Sequence, residues 1–152
     1  MAEEGSIKVF MSYSHEDERY KEKLDKHLAV LKRKKKIKTW NDRKLVPGKD
    51  IDKEIGKSLV EADIIILLLS ADFFASEYCY CTEMTKALEL YEEGQNMIVP
   101  VIVRSCDWLG SPLAKLVALP KDGKAINKWE DEDEAYMDVV AGIKKVIEEI
   151  GE

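Results

Sequence analysis

The run "DIIILLLS" at 63–70 limits what this chain can fold into more than any other stretch. Its six consecutive apolar residues, Ile64–Leu69, lack the alternation of a half-exposed strand and the length of a helix. A strand covered on both faces reads this way, and such strands lie at the centre of parallel sheets. Parallel neighbours need crossover connections, usually helical. Candidates flank the run on both sides. "IDKEIGKSLVEA" places Ile51, Ile55 and Leu59 on one face, and Tyr80, Met84, Ala87, Leu88 and Tyr91 trace an apolar stripe along a helix expected over 76–93.

The alternation extends along the whole chain. "IKVFMSYS" (7–14) reads as a first strand. A helix follows with Tyr20, Leu24, Leu28 and Leu31 at helical spacing and Ser14 available as its cap. "IKTW" (37–40) is a short second strand, followed by the loop "NDRKLVPGKD" with its Pro47-Gly48 turn pair. "NMIVPVIVRS" is a fourth strand, with Pro100 marking an irregularity because it cannot donate to a ladder. "KAIN" offers a fifth strand, and a closing helix carries Ala135, Val139, Ile143, Val146 and Ile150 as its stripe. The pattern predicts an α/β fold in one domain of 152 residues, with helices on both faces of a parallel sheet.

Composition excludes several functional classes. A net charge of −6 disfavours a general nucleic-acid binder. "KRKKK" (32–36) reads as a solvated helix end, where cations suit the carbonyl terminus. No apolar run reaches the roughly 18 residues of a membrane span, and "MAEEGSIK" lacks a signal-peptide core, so a cytoplasmic protein away from the membrane is expected. Three cysteines, Cys79, Cys81 and Cys106, argue against a disulfide framework. The turn after the first strand, "SYSHED", has no glycine, which excludes a G-x-G-x-x-G dinucleotide fingerprint and a bound redox cofactor. The chain also lacks a P-loop and a G-x-S-x-G elbow, and its central strand ends in Leu69-Ser70 rather than a phospho-acceptor aspartate.

In parallel sheets of this kind, ligands bind outside the carboxyl ends of the strands. The first strand brings Ser12, Tyr13 and Ser14 to that edge, the second Trp40 and Asp42, the third Ser70, and the fourth leads to Cys106–Trp108. Beside them lies "ASEYCYCTEM" (75–84), which sets Glu83 among two tyrosines and two thiols. Three readings compete there. A zinc site would need four ligands, but Cys79 and Cys81 are two apart on a helix and point away from each other. A thiol nucleophile would need an activating base, for which His15 is the candidate. The third reading rests on Glu83, which adjoins Met84 and shares a face with Ser76, Cys79 and Tyr80. Glu77, Glu89, Glu92 and Glu93 instead fit an ordinary wet face. Spacing alone leaves Glu83 open between a functional carboxylate and a solvated charge.

The set "IKVFMSYSHED", "WNDRKLVPGKDI", "LLLSADFFASEYCYCTEM", "CDW" and "LPKDGKAINKW" resembles a prokaryotic TIR (Toll/interleukin-1 receptor) domain over about residues 6–150. The resemblance implies a flavodoxin-like fold of five parallel strands in three layers. It also implies either a self-associating signalling scaffold or an enzyme that cleaves NAD⁺, as substrate rather than cofactor, into nicotinamide and ADP-ribose or a cyclic ADP-ribose. Glu83 matches the family's catalytic glutamate, and Asn41–Asp50 its mobile loop, with Trp40, Asp42 and Arg43 at the start. Family members often carry an aromatic residue four positions before the glutamate. Here that position is Cys79, and Tyr78 and Tyr80 flank it as candidates to stack on nicotinamide. The implied partners are NAD⁺, further TIR domains, and a sensor such as a cyclic-nucleotide-binding module outside residues 1–152. The implied setting is bacterial antiphage immunity.

Overall fold

The computed structural model describes residues 6–40, 47–48 and 51–151. Ile64–Leu69 forms the interior strand that its composition demands, with all six side chains buried. Numbered along the chain, the strands are β1 (Ile7–Ser12), β2 (Ile37–Trp40), β3 (Ile64–Leu69) and β4 (Met97–Ile102). The helices are α1 (Glu18–His27), α2 (Ala29–Arg33), α3 (Ile51–Glu61), α4 (Ala71–Ala75), α5 (Thr85–Glu92) and α6 (Glu132–Gly151). Every strand pairing is parallel and the order is β2-β1-β3-β4. These are the first four places of the flavodoxin-like order 2-1-3-4-5.

Alternation along the strands divides the core in two. Val9, Met11 and Tyr13 of the β1 segment join Ile64, Ile66 and Leu68 of β3 against α1 and α6. Phe10 of β1 joins Ile65, Leu67 and Leu69 on the other face, against α3, α4 and α5. Burying both faces of β3 excludes water from six aliphatic side chains, each worth about 1.5–3 kcal/mol. Ser14 accepts a hydrogen bond from the Glu16 backbone N–H at 3.2 Å, capping a short 3₁₀ turn that leads into α1. Lys32 and Arg33 close α2, and Lys34–Lys36 beyond it are exposed, as a solvated helix end requires.

The expected fifth strand does not form among the described residues. "KAIN" is a 3₁₀ turn over Ile126–Lys128, and the outer edge of β4 carries a single bridge, Val101 to Leu119. Pro100 limits how far that bridge extends. The Leu119 N–H donates to the Pro100 carbonyl at 2.8 Å, and the Ile102 N–H donates to the Leu119 carbonyl at 2.8 Å. The next bond of that ladder would run from the nitrogen of residue 100 to the Val117 carbonyl, and proline has no proton to give. Val117 is accordingly 88% exposed. The same parity aims the Pro100 nitrogen away from β3, so the ladder from β3 to β4 stays continuous through Ile102.

Candidate functional site

Glu83 lies in a π-helical segment, Tyr78–Met84, rather than in the continuous α-helix expected over 76–93. The chain leaves α4, turns extended at Ser76 and re-enters helix. Ser76 Oγ accepts from the Cys79 N–H at 3.1 Å, and the Thr85 hydroxyl donates to the Tyr80 carbonyl at 3.1 Å. The wider turn buries Cys79, Glu83 and Met84 together while Cys81 and Thr82 face outward. π-helical turns recur at functional sites because they re-aim one side chain without ending the helix.

The re-aimed side chain is Glu83, 1% exposed, and it meets the end of β1. Ser12 Oγ donates to Glu83 Oε1 at 2.6 Å, and Ser12 is also 1% exposed. That distance falls within the range of a charge-assisted O–H···O⁻ bond. Such a bond offsets part of the several kcal/mol lost when a carboxylate leaves water. Glu77, Glu89, Glu92 and Glu93 are exposed, so burial singles out one acid on this helix.

A second buried carboxylate, which the sequence did not reveal, sits on the opposite face of the sheet. Asp17 is fully buried and receives the Ser70 hydroxyl on Oδ2. Arg104 Nε donates to Asp17 Oδ1 at 2.9 Å, and Arg104 Nη2 also pairs with Asp72. The two carboxylates hold the guanidinium pKa above its ordinary value, Asp72 contributing most. Strand-end serines thus bind carboxylates on opposite faces: Ser12 of β1 holds the acid that follows β3, and Ser70 after β3 holds the acid that follows β1. The only sequence signal for Asp17 was its spacing from Ser14, which reads as an ordinary turn.

The remaining expected site residues divide by location. Tyr13 is buried on the α1–α6 face, away from Glu83, and its hydroxyl donates to Glu18 Oε2 at 3.1 Å. Ser14 is committed to its turn. Tyr78, half-buried, lines a groove of about 370 Å³ with Ile55, Leu59, Cys81, Thr82 and Thr85. Tyr80 packs edge-on against Phe74 of α4, with ring centroids 5.9 Å apart. The two candidate rings therefore lean toward different helices, with buried Cys79 between them. The Trp40 side chain, Asp42, Arg43 and most of the 41–50 loop lie outside the described residues.

The thiols behave differently from one another. Cys79 packs in the core, whereas Cys81 is exposed. Their divergence also prevents the pair from sharing one metal ion. Burial pushes the half-buried Cys106 thiol up to about 11, far from an activated nucleophile. Brief alkylation of the native protein should therefore modify Cys81 well ahead of Cys79 and Cys106. Peptide mass spectrometry checks this, and equal labelling of all three would contradict the burial pattern.

Residues 9–138 match the family model described as TIR domain. A relative from Sinorhizobium fredii (strain NBRC 101917 / NGR234), the uncharacterized protein y4lF, is 46% identical over 137 residues. That match covers 90% of this chain, which spans only 42% of the relative's length. Among solved structures, the fold is similar to the TIR domains of the activated Roq1 resistosome that directly recognizes the pathogen effector XopQ. That similarity has a TM-score of 0.67 at 22% identity and covers 91% of this chain and 99% of the other. It is also similar to the TIR domain of the Toll-related receptor TRR-2 from Hydra magnipapillata, with a TM-score of 0.50 at 24% identity over 68% of this chain and 78% of that one. The family match over residues 9–138 and the 46% identity to y4lF across 90% of the sequence agree with the fold: this chain belongs to the TIR domain family.

Proposed function

We propose that this TIR domain is an NAD⁺ glycohydrolase whose catalytic residue is Glu83. The observation that carries the reading is the Glu83 carboxylate, buried and held by the Ser12 hydroxyl where β1 ends. Glycosidases that expel a poor leaving group need two carboxylates, one of them to protonate it. NAD⁺ does not impose that requirement, because its pyridinium nitrogen is already cationic. The bond from ribose C1′ to that nitrogen breaks, both electrons go to the ring, and nicotinamide departs neutral. Positive charge passes to the ribose as an oxocarbenium-like centre, which a fixed carboxylate stabilises. Water then adds its oxygen to C1′ and releases one proton, giving ADP-ribose. An internal ribose or adenine nucleophile in place of water would give a cyclic product.

Tyr78 or Tyr80 is proposed as the ring that stacks on nicotinamide, and Trp40, Asp42 and Arg43 as further substrate-binding residues. The Roq1 TIR domains belong to an activated resistosome, which supports a reading in which this domain also works when assembled with further copies or with a sensor. The proposed role is an effector that depletes NAD⁺ in bacterial antiphage immunity. The test is to incubate concentrated protein with NAD⁺, with and without a crowding agent or templating surface, and to separate the products by chromatography. Nicotinamide accompanied by ADP-ribose or its cyclic form is the expected outcome. If no nicotinamide is released under any assembled condition, the scaffold reading takes its place.

A further inference from the structure

Ser12 was grouped at the outset with residues that would touch substrate, and the geometry points elsewhere. β1 is flanked by β2 and β3, and the Ser12 Cα stands in register with Leu67 of β3. Pairing with β3 therefore fixes the backbone position of Ser12. The side chain shares a face with Phe10 and is 1% exposed. A serine hydroxyl has one proton to donate, and this one goes to Glu83 Oε1 at 2.6 Å. The neighbouring core positions on this face are Phe10, Leu67 and Leu69, so an alanine methyl would suit the packing as well as a serine. What serine adds is a donor for the carboxylate.

Building on the proposed reaction, we infer that Ser12 is a positioning residue for Glu83. It fixes the plane of the carboxylate without contacting NAD⁺ itself. Glutamate has three rotatable bonds, and an acid that must meet a developing charge loses rate steeply when it is displaced by about 1 Å. The π-helical turn brings Glu83 toward the sheet, and the Ser12 hydroxyl fixes its final orientation.

Steady-state kinetics on the assembled enzyme test the inference. Ser12→Ala should lower kcat about 10–100-fold, the range for losing a hydrogen bond to a charged group, with KM essentially unchanged. Ser12→Thr, which keeps the hydroxyl, should recover most of the loss. Ser12→Cys fills nearly the same space with a weak donor and should behave like Ser12→Ala, which guards against an effect of altered packing. Adding Ser12→Ala to Glu83→Gln should change the residual rate little, because the hydroxyl acts only through the carboxylate. A rise in KM at constant kcat would assign the hydroxyl to substrate binding. An equal further loss in the Glu83→Gln background would make the two residues independent, and a wild-type kcat for Ser12→Ala would show the bond to be idle. Each of these three results overturns the inference. If Glu83→Gln itself retains full activity, the proposed reaction fails instead, and the two failures are distinguishable.

Discussion

Glu83→Gln should lower nicotinamide release about 100–1000-fold while the domain melts close to the wild-type temperature. Glutamine preserves the shape of the buried side chain, and its amide oxygen can still accept the Ser12 hydroxyl. Only the negative charge is lost. Removing a charge from a site that is 1% exposed also removes its desolvation cost, so stability should hold or rise slightly. Product chromatography alongside a circular dichroism melt separates the two effects. Wild-type turnover in Glu83→Gln would show that the buried acid is architectural. Glu83→Asp refines the test: the charge remains, but the shorter arm withdraws it from Ser12, so activity should fall although ionisation is preserved.

The second large effect falls on stability. Arg104→Leu should cost about 3–5 kcal/mol, because it leaves the fully buried Asp17 carboxylate without its cation. For a domain of this size that corresponds to roughly 6–20 °C in Tm. The penalty comes from the stranded charge rather than from the lost contact, so Asp17→Asn combined with Arg104→Leu should restore much of the difference. High salt should reduce the deficit only in part, since Asp17 is buried while the Arg104 side chain is 32% exposed. Urea denaturation of the three proteins in low and high salt measures this. A loss below about 1 kcal/mol in Arg104→Leu would mean that the Ser70 hydroxyl alone satisfies Asp17.

Where periodicity could be read locally, the sequence was a reliable guide. Ile64–Leu69 forms the covered strand that its run of apolar residues implied, and the stripe from Tyr20 to Leu31 is buried as spaced. Pro100 was legible as an irregularity, but its effect depended on which edge its nitrogen faced, a matter of register between β3 and β4. The proline stops the bridge at Leu119 from extending, while the predicted fifth strand, "KAIN", folds as a 3₁₀ turn instead. The helix over 76–93 was read at 3.6 residues per turn, and the wider turn at Tyr78–Met84 leaves no distinct mark in composition. The pairings that define the site are non-local: 71 residues separate Ser12 from Glu83, and 87 separate Asp17 from Arg104. Alternation shows that Ser12 shares the Phe10 face. It does not show that Glu83 arrives opposite.

The strand order carries a consequence for biosynthesis. β1 cannot complete its hydrogen bonding until β3 has left the ribosome, and the Tyr20, Leu24 and Leu28 stripe of α1 shares its core with Ala135, Val139 and Ile143 of α6, near the far end of the chain. Folding dominated by such distant contacts is slow and leaves oily surface uncovered meanwhile. A nascent chain halted after β4 would have α1 in place but would leave exposed the part of that sheet face that α6 covers, and would be a natural client for chaperones until α6 is translated.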